Sequence, residues 1–290
     1  MCAAQPAGPR EGFVNVAGGR VWYRIVGTGP QTPLLLVHGG PGVGSCYLSD
    51  LANRLSKERP VILYDQLESG RSDHPGDRSL WTIDRFVEEL AAVRKELKLE
   101  RVHLLGHSWG AAVVAEYLLT RRPSGIESVT FAGPLLSTPL WIADTKILLA
   151  ELPESVQQTL ASHEREGTTG SPEYLQATGV YYSRYVFRRQ PVSGIAGCPF
   201  NQAIYEQMWG PNEFRATGTL KDFDRTNRLS ELRAPVLFLV GRFDEARVAT
   251  VTSFQRAIPG SRLEVVENAG HMAMIDEPDA YAQALRRFLR

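Results

Sequence analysis

Gly106-His107-Ser108-Trp109-Gly110 decides how this chain of 290 residues is read. The apolar run Val102-His103-Leu104-Leu105 precedes it with the length of a strand, and residues Ala111 to Leu119 are small or good helix formers. A G-x-S-x-G pentapeptide at a strand-to-helix turn is a nucleophile elbow, which lifts a serine hydroxyl clear of the sheet. The turn is so sharp that a side chain two positions before or after the serine would crowd it. The pentapeptide alone recurs by chance, so the strand before it and the helix after it carry the inference.

Working outward, Phe13–Val16 and Arg20–Val26 read as an antiparallel hairpin across Ala17-Gly18-Gly19. Leu34–Val37 and Val61–Tyr64 are apolar enough for strands buried on both faces. Leu48, Leu51 and Leu55 mark a helix between them. Thr82 is placed to cap a helix with the apolar face Ile83, Phe86, Val87, Leu90, Val93 and Leu97. Ile126–Ala132 is a further strand. The alternation stops near Pro134 and resumes at Pro235–Val240, with a helix at Ala249–Ala257, a strand at Leu263–Val266 and a final helix at Pro278–Leu289. The expectation is an α/β fold, a mainly parallel sheet with helices on both faces, built from residues 1–133 and 230–290. An inserted helical cap occupies 134–229.

Composition narrows the function classes. Lys+Arg and Asp+Glu both total 32, so the formal net charge is zero, which argues against a nucleic-acid or polyanion binder. The three cysteines (Cys2, Cys46 and Cys198) are odd in number and lack metal-ligand spacing. Neither a disulfide framework nor a metal site is expected from them. No apolar run reaches the length of a membrane span. Residues 1–11 carry no apolar leader run, and a cytoplasmic location is the expectation.

A serine nucleophile needs a base, an acid that orients the base, and donors for the oxyanion. In chain order Ser…Asp…His, both partners belong on loops after later strands. His271, in Asn268-Ala-Gly-His-Met272, falls between the last strand and the last helix. Asp244, in Gly241-Arg-Phe-Asp-Glu245, follows the strand ending at Val240. Asp222, Asp224 and Asp276 are the alternatives, each read as a surface charge. His38 and His107 are read as loop structure, and His74, His103 and His163 as solvated or packed. His38-Gly39-Gly40-Pro41-Gly42 after the first buried strand supplies a backbone donor. The N–H of Gly40, with Gly39 as substitute, would join that of Trp109 in an oxyanion hole.

His38-Gly-Gly-Pro-Gly42, Asp65-Gln66, Gly106-His-Ser-Trp-Gly110 and Gly241-Arg-Phe-Asp-Glu245 resemble the proline iminopeptidases, a branch of the α/β-hydrolases. The cap segment Met208-Trp-Gly-Pro-Asn-Glu213-Phe214, followed by Thr217-Gly-Thr-Leu-Lys221, is similar to the group that includes the archaeal tricorn-interacting aminopeptidase. The resemblance implies release of an N-terminal residue, often proline, from short peptides or amino-acid amides, with no cofactor. It also implies that Glu213 and Glu245 bind the free α-ammonium group. Tyr181, Tyr182, Tyr185, Phe187, Tyr205 and Trp209 are candidates for an apolar pocket, most of them expected in the cap core. The loop Leu67-Glu68-Ser69-Gly70 departs from the family, which has glycine where Glu68 stands. Glu68 is read as a tolerated surface change, although a left-handed site there would penalise it.

An amino-acid amidase or carboxylesterase on the same triad is the nearest rival. A binding protein on a hydrolase fold is the rival from another class. Epoxide hydrolases and haloalkane dehalogenases use an aspartate where this chain has Ser108.

Overall fold

A computed structural model describes residues 10–189 and 198–290. Strands β1 (Arg10–Val16) and β2 (Gly19–Val26) form the expected hairpin. Then come β3 (Leu34–Val37), α1 (Ser49–Leu55), β4 (Val61–Tyr64), α2 (Ile83–Glu96), β5 (Val102–His107), α3 (Trp109–Arg121) and β6 (Ile126–Ala132). Four helices follow: α4 (Thr138–Ala150), α5 (Glu154–Glu166), α6 (Pro172–Tyr185) and α7 (Gln202–Met208). The chain closes with β7 (Val236–Gly241), α8 (Val248–Ala257), β8 (Arg262–Val266), α9 (Ala273–Asp276) and α10 (Pro278–Phe288).

The strands make one eight-stranded sheet in the order β1-β2-β4-β3-β5-β6-β7-β8. Only the β1–β2 and β2–β4 pairings are antiparallel. Successive strand residues point to opposite faces, so one apolar run feeds two cores. Leu35, Val37, Ile62 and Leu104 pack with Phe86 and Leu90 of α2 and Val113 of α3. Leu34, Leu36, Val61 and Leu63 pack with Leu51 and Leu55 of α1 and Leu285 of α10. Unbroken apolar strands are what a sheet covered on both faces requires. Thr82 caps α2 as expected, its hydroxyl accepting from the Arg85 N–H at 3.4 Å.

Helices α4–α7 lie between β6 and β7 in sequence. Ser137 and Ser171 cap α4 and α6 by accepting from the Leu140 and Tyr174 N–H groups. Because β3, β5, β7 and β8 are parallel, their following loops emerge at one edge of the sheet, where ligands bind in open α/β folds. Among the described residues no helix is long and apolar enough to cross a membrane.

One expectation needs correction. Cys46 and Cys198, 152 residues apart, are joined in a disulfide with Cα atoms 5.8 Å apart, within the normal span. The odd cysteine count and the 152-residue separation hid this pair, and the third cysteine, Cys2, lies outside the described residues. The bond ties the start of α7 to the turn before α1.

Candidate active site

At the elbow, β5 passes into α3 through Ser108, whose φ is 54° and ψ −122°. Such a backbone is costly for a residue with a side chain and persists only where its surroundings hold it. Here the Ser108 N–H donates to the Ala132 carbonyl at 2.9 Å, and its carbonyl accepts from Ala111 and Leu135. A Cβ on Gly106 would meet the Gly110 carbonyl, and one on Gly110 would meet the Val37 carbonyl. The crowding anticipated from the sequence is therefore backbone against backbone. Ser108 also heads a helix of 13 residues, so the positive end of its dipole faces the reaction centre.

Asp244 and His271 meet from the loops after β7 and β8. His271 Nδ1 donates to Asp244 Oδ1 at 2.8 Å, and the Ala246 N–H donates to the same oxygen at 2.8 Å. Both side chains are buried. Burial by itself would lower the His271 pKa, but the charges of Asp244, Glu245 and Glu213 and the Asp244 hydrogen bond raise it to about 9. Trp141 of α4 packs edge-on against the imidazole, with ring centroids 5.5 Å apart. The end of α6 also grips this loop, since the Tyr185 carbonyl accepts from the His271 N–H at 2.8 Å.

Asp276 was expected at the surface and is instead fully buried. Its carboxylate accepts from the Gly270 N–H at 2.8 Å and from the Arg188 and Arg189 N–H groups. It therefore fixes the histidine loop against the cap. Asp222 and Asp224 are exposed, as read from the sequence.

Two buried networks join the loops. The Gly39 N–H donates to the Tyr47 hydroxyl at 2.7 Å. The single phenolic proton then goes to His107 Nδ1 at 2.8 Å, which leaves Nε2–H to donate to the His271 carbonyl at 3.2 Å. Burial, with the nearby His271, holds the His107 pKa well below its usual value, so the ring stays neutral. In the second network His38 Nδ1–H donates to the Gly39 carbonyl and Nε2 accepts from the Gln66 N–H. The Gln66 side chain donates to the His38 carbonyl and accepts from the Trp109 indole. Gly39 and Gly40 both line the cavity beside Ser108, and the Gly39 N–H is already taken by Tyr47.

That cavity, about 320 Å³, is also lined by His271, Glu213, Tyr182, Tyr205 and Phe187. Glu213 Oε1 accepts from the Tyr205 hydroxyl at 2.7 Å, and the Glu213 carbonyl accepts from the Trp141 indole at 3.0 Å. Glu245 is fully buried and not part of the wall, with Oε2 accepting from the Tyr181 hydroxyl at 3.1 Å. Burial drives the Glu245 pKa well above its usual value, and the charges of Glu213 and Asp244 push the same way. Burial likewise raises Glu213, partly offset by His271 and the Tyr205 hydrogen bond. Of the candidate aromatics, Tyr182, Phe187 and Tyr205 reach the cavity wall, whereas Tyr185 and Trp209 pack in the cores.

Glu68 also departs from expectation. It is 2% exposed and sits at φ 69°, the left-handed region that penalises a side chain. Its carboxylate compensates by accepting from the Gly76 N–H at 2.6 Å, the Trp81 indole and the Asn201 amide of the cap. With those donors it is a tie between core and cap, and it does not line the cavity.

A serine at a strained elbow, reached by loops from parallel strands and roofed by inserted helices, is the plan of an α/β-hydrolase. The family model of the alpha/beta hydrolase fold matches residues 32–278. A proline iminopeptidase of Heyndrickxia coagulans is 46% identical over 288 residues, covering 96% of this chain and 98% of the relative. The crystal structure of VinJ superposes with a TM-score of 0.90 at 33% identity, over 98% of this chain and 99% of that one. That of a Mycobacterium smegmatis proline iminopeptidase does so with a TM-score of 0.87 at 34% identity, over 97% of each. The chain belongs to the proline iminopeptidase family.

Proposed function

We propose that this protein is a serine aminopeptidase that releases an N-terminal residue, preferentially proline, from short peptides through an acyl-enzyme. The observation that carries the reading is a carboxylate in the cavity wall, Glu213, with a second, Glu245, buried close enough for their charges to interact. Glu213 and Glu245 are held among tyrosine hydroxyls, and Glu245 Oε1 is buried without a hydrogen-bond partner. A half-buried and a fully buried carboxylate close together are unfavourable unless a cation joins them. The α-ammonium of a peptide supplies that cation and places the first carbonyl at Ser108. Each charge-assisted hydrogen bond there contributes on the order of 1.5–3 kcal/mol.

In this mechanism His271 Nε2 takes the Ser108 proton while the serine oxygen attacks the carbonyl carbon of the N-terminal residue. Asp244 holds the imidazole by Nδ1 and stabilises the imidazolium. The N–H groups of Gly40 and Trp109 receive the oxyanion, and one such donor is worth roughly 3–4 kcal/mol in comparable sites. Collapse of the tetrahedral intermediate breaks the C–N bond, and His271 gives its proton to the departing amine. A water molecule, deprotonated by His271, cleaves the ester and frees the amino acid and Ser108. No step calls on a metal or an organic cofactor. In this reading segment 134–229 is the cap that selects the substrate, and 1–133 with 230–290 is the core that performs the chemistry.

The test is kcat/KM for a fluorogenic prolyl amide beside its N-acetyl derivative. Strong preference for the free amine supports the ammonium site. Equal rates would keep the serine hydrolase and turn the assignment to the amidase or carboxylesterase alternative.

A further inference from the structure

The cavity has two chemically different parts. Glu213 stands in its wall, near enough to the buried Glu245 for their charges to interact. Val43, Val186, Phe187, Phe200 and Met272 give the same wall an apolar part, and the exposed Phe200 marks its outer end. Phe200 is 50% exposed, which places it at the rim, whereas Val186 and Met272 are buried. A substrate with its ammonium at Glu213 and its carbonyl at Ser108 sends the leaving group outward, past these side chains. The rim is also anchored. The Asn201 N–H donates to the Gly42 carbonyl at 2.9 Å, and the Cys46–Cys198 bond holds the chain just ahead of Phe200.

Among the described residues, none that lines the cavity is a lysine or arginine. The two arginines that follow Phe187 are engaged elsewhere. Arg188 lies over the Phe243 ring at 3.8 Å, and Arg189 pairs with Glu277 at 3.0 Å. Among the described residues the leaving-group side therefore offers apolar surface and no lysine or arginine. A free dipeptide would carry its α-carboxylate into this region, where no lysine or arginine among the described lining residues can pair it. Desolvating a charge without a partner is costly.

Resting on the aminopeptidase reading above, we propose that the outer end is a leaving-group subsite for neutral, apolar amines. The favoured substrates join an N-terminal residue to an aromatic or aliphatic amine. They include peptide amides and peptides whose second residue is apolar and whose carboxylate lies further along. Free dipeptides are disfavoured, as are peptides with an acidic second residue.

The experiment compares kcat/KM for Pro-Phe-NH2, Pro-Phe-OH, Pro-Gly-NH2 and N-acetyl-Pro-Phe-NH2 on the wild-type protein and on Phe200→Arg. Wild type should prefer Pro-Phe-NH2 over Pro-Phe-OH by roughly tenfold or more, the scale of one lost charge-pairing partner. Pro-Phe-NH2 should also exceed Pro-Gly-NH2. Phe200→Arg places a cation at an exposed rim position, so it should narrow the amide-to-acid ratio; Gln202→Arg, also exposed, repeats the test at a second site. Equal rates on amide and acid, or ratios unmoved by both arginines, would overturn the subsite. Cleavage of N-acetyl-Pro-Phe-NH2 as fast as its free-amine counterpart would instead overturn the aminopeptidase reading beneath it.

Discussion

Ser108 and Glu213 line the same cavity, yet the two regions around them are held by different means. At the elbow the constraints are backbone atoms, with Gly106 and Gly110 pressed against carbonyls and the Ser108 N–H bonded to Ala132. At the carboxylate pair they are side-chain hydroxyls, Tyr205 to Glu213 and Tyr181 to Glu245, presented by cap helices. Backbone packing leaves little freedom, which suits a nucleophile that must meet one fixed geometry. Hydroxyls on inserted helices can be exchanged without disturbing the sheet, which suits the choice of substrate. On the proposed reading, the core breaks the bond and the cap, with Glu213 and its tyrosine hydroxyls, joins Glu245 of the core in recognition.

The severest break of that comparison is Ser108→Ala. Turnover on every substrate should fall by about 10⁶-fold, as for loss of a nucleophile in a triad, with the circular-dichroism spectrum and melting curve unchanged. Residual peptide cleavage near wild type would remove the elbow from the mechanism. Next comes Glu213→Gln, which should lower kcat/KM on a prolyl peptide by about 10–100-fold, one charge-assisted contact. Hydrolysis of a small neutral ester should change far less. Matching losses on both substrates would show that Glu213 serves the fold and not the amine.

The subtlest effect couples the two regions. His271 works as a base only when neutral, and its pKa is raised to about 9 by Asp244, Glu245 and Glu213 against the pull of burial. Ester hydrolysis should therefore climb with pH and level off above about 9. In Glu213→Gln one of the negative charges is gone, so the same limb should move to lower pH by a fraction of a unit. A pH profile that stays put would mean that the cap charge does not reach the base.

Much of this was legible in residue order because the signals are local. The unbroken apolar runs Leu34–Val37 and Val61–Tyr64 marked strands covered on both faces, Thr82 marked a helix start, and the glycines flanking Ser108 marked the elbow. Asp244 and His271 were placed by chain order against the strands. Glu213 was found only through a motif shared with a family, since nothing in its local sequence distinguishes it from a solvated glutamate. Tyr47 and Gln66 were missed because their work is to bond residues far along the chain, His107 and Trp109 among them. Asp276 and Glu68 were misread as surface charges for the same reason.

Sequence alone determined the layered sheet, the elbow and the order of the candidate triad, because side-chain period and turn chemistry act over a few residues. Tertiary structure decided which donor of the glycine loop is occupied, which carboxylates are buried, and that Cys46 meets Cys198. Each of these depends on what a distant segment brings alongside. Burial and pairing are properties of the packed chain, and they set the charge states on which the site's chemistry turns.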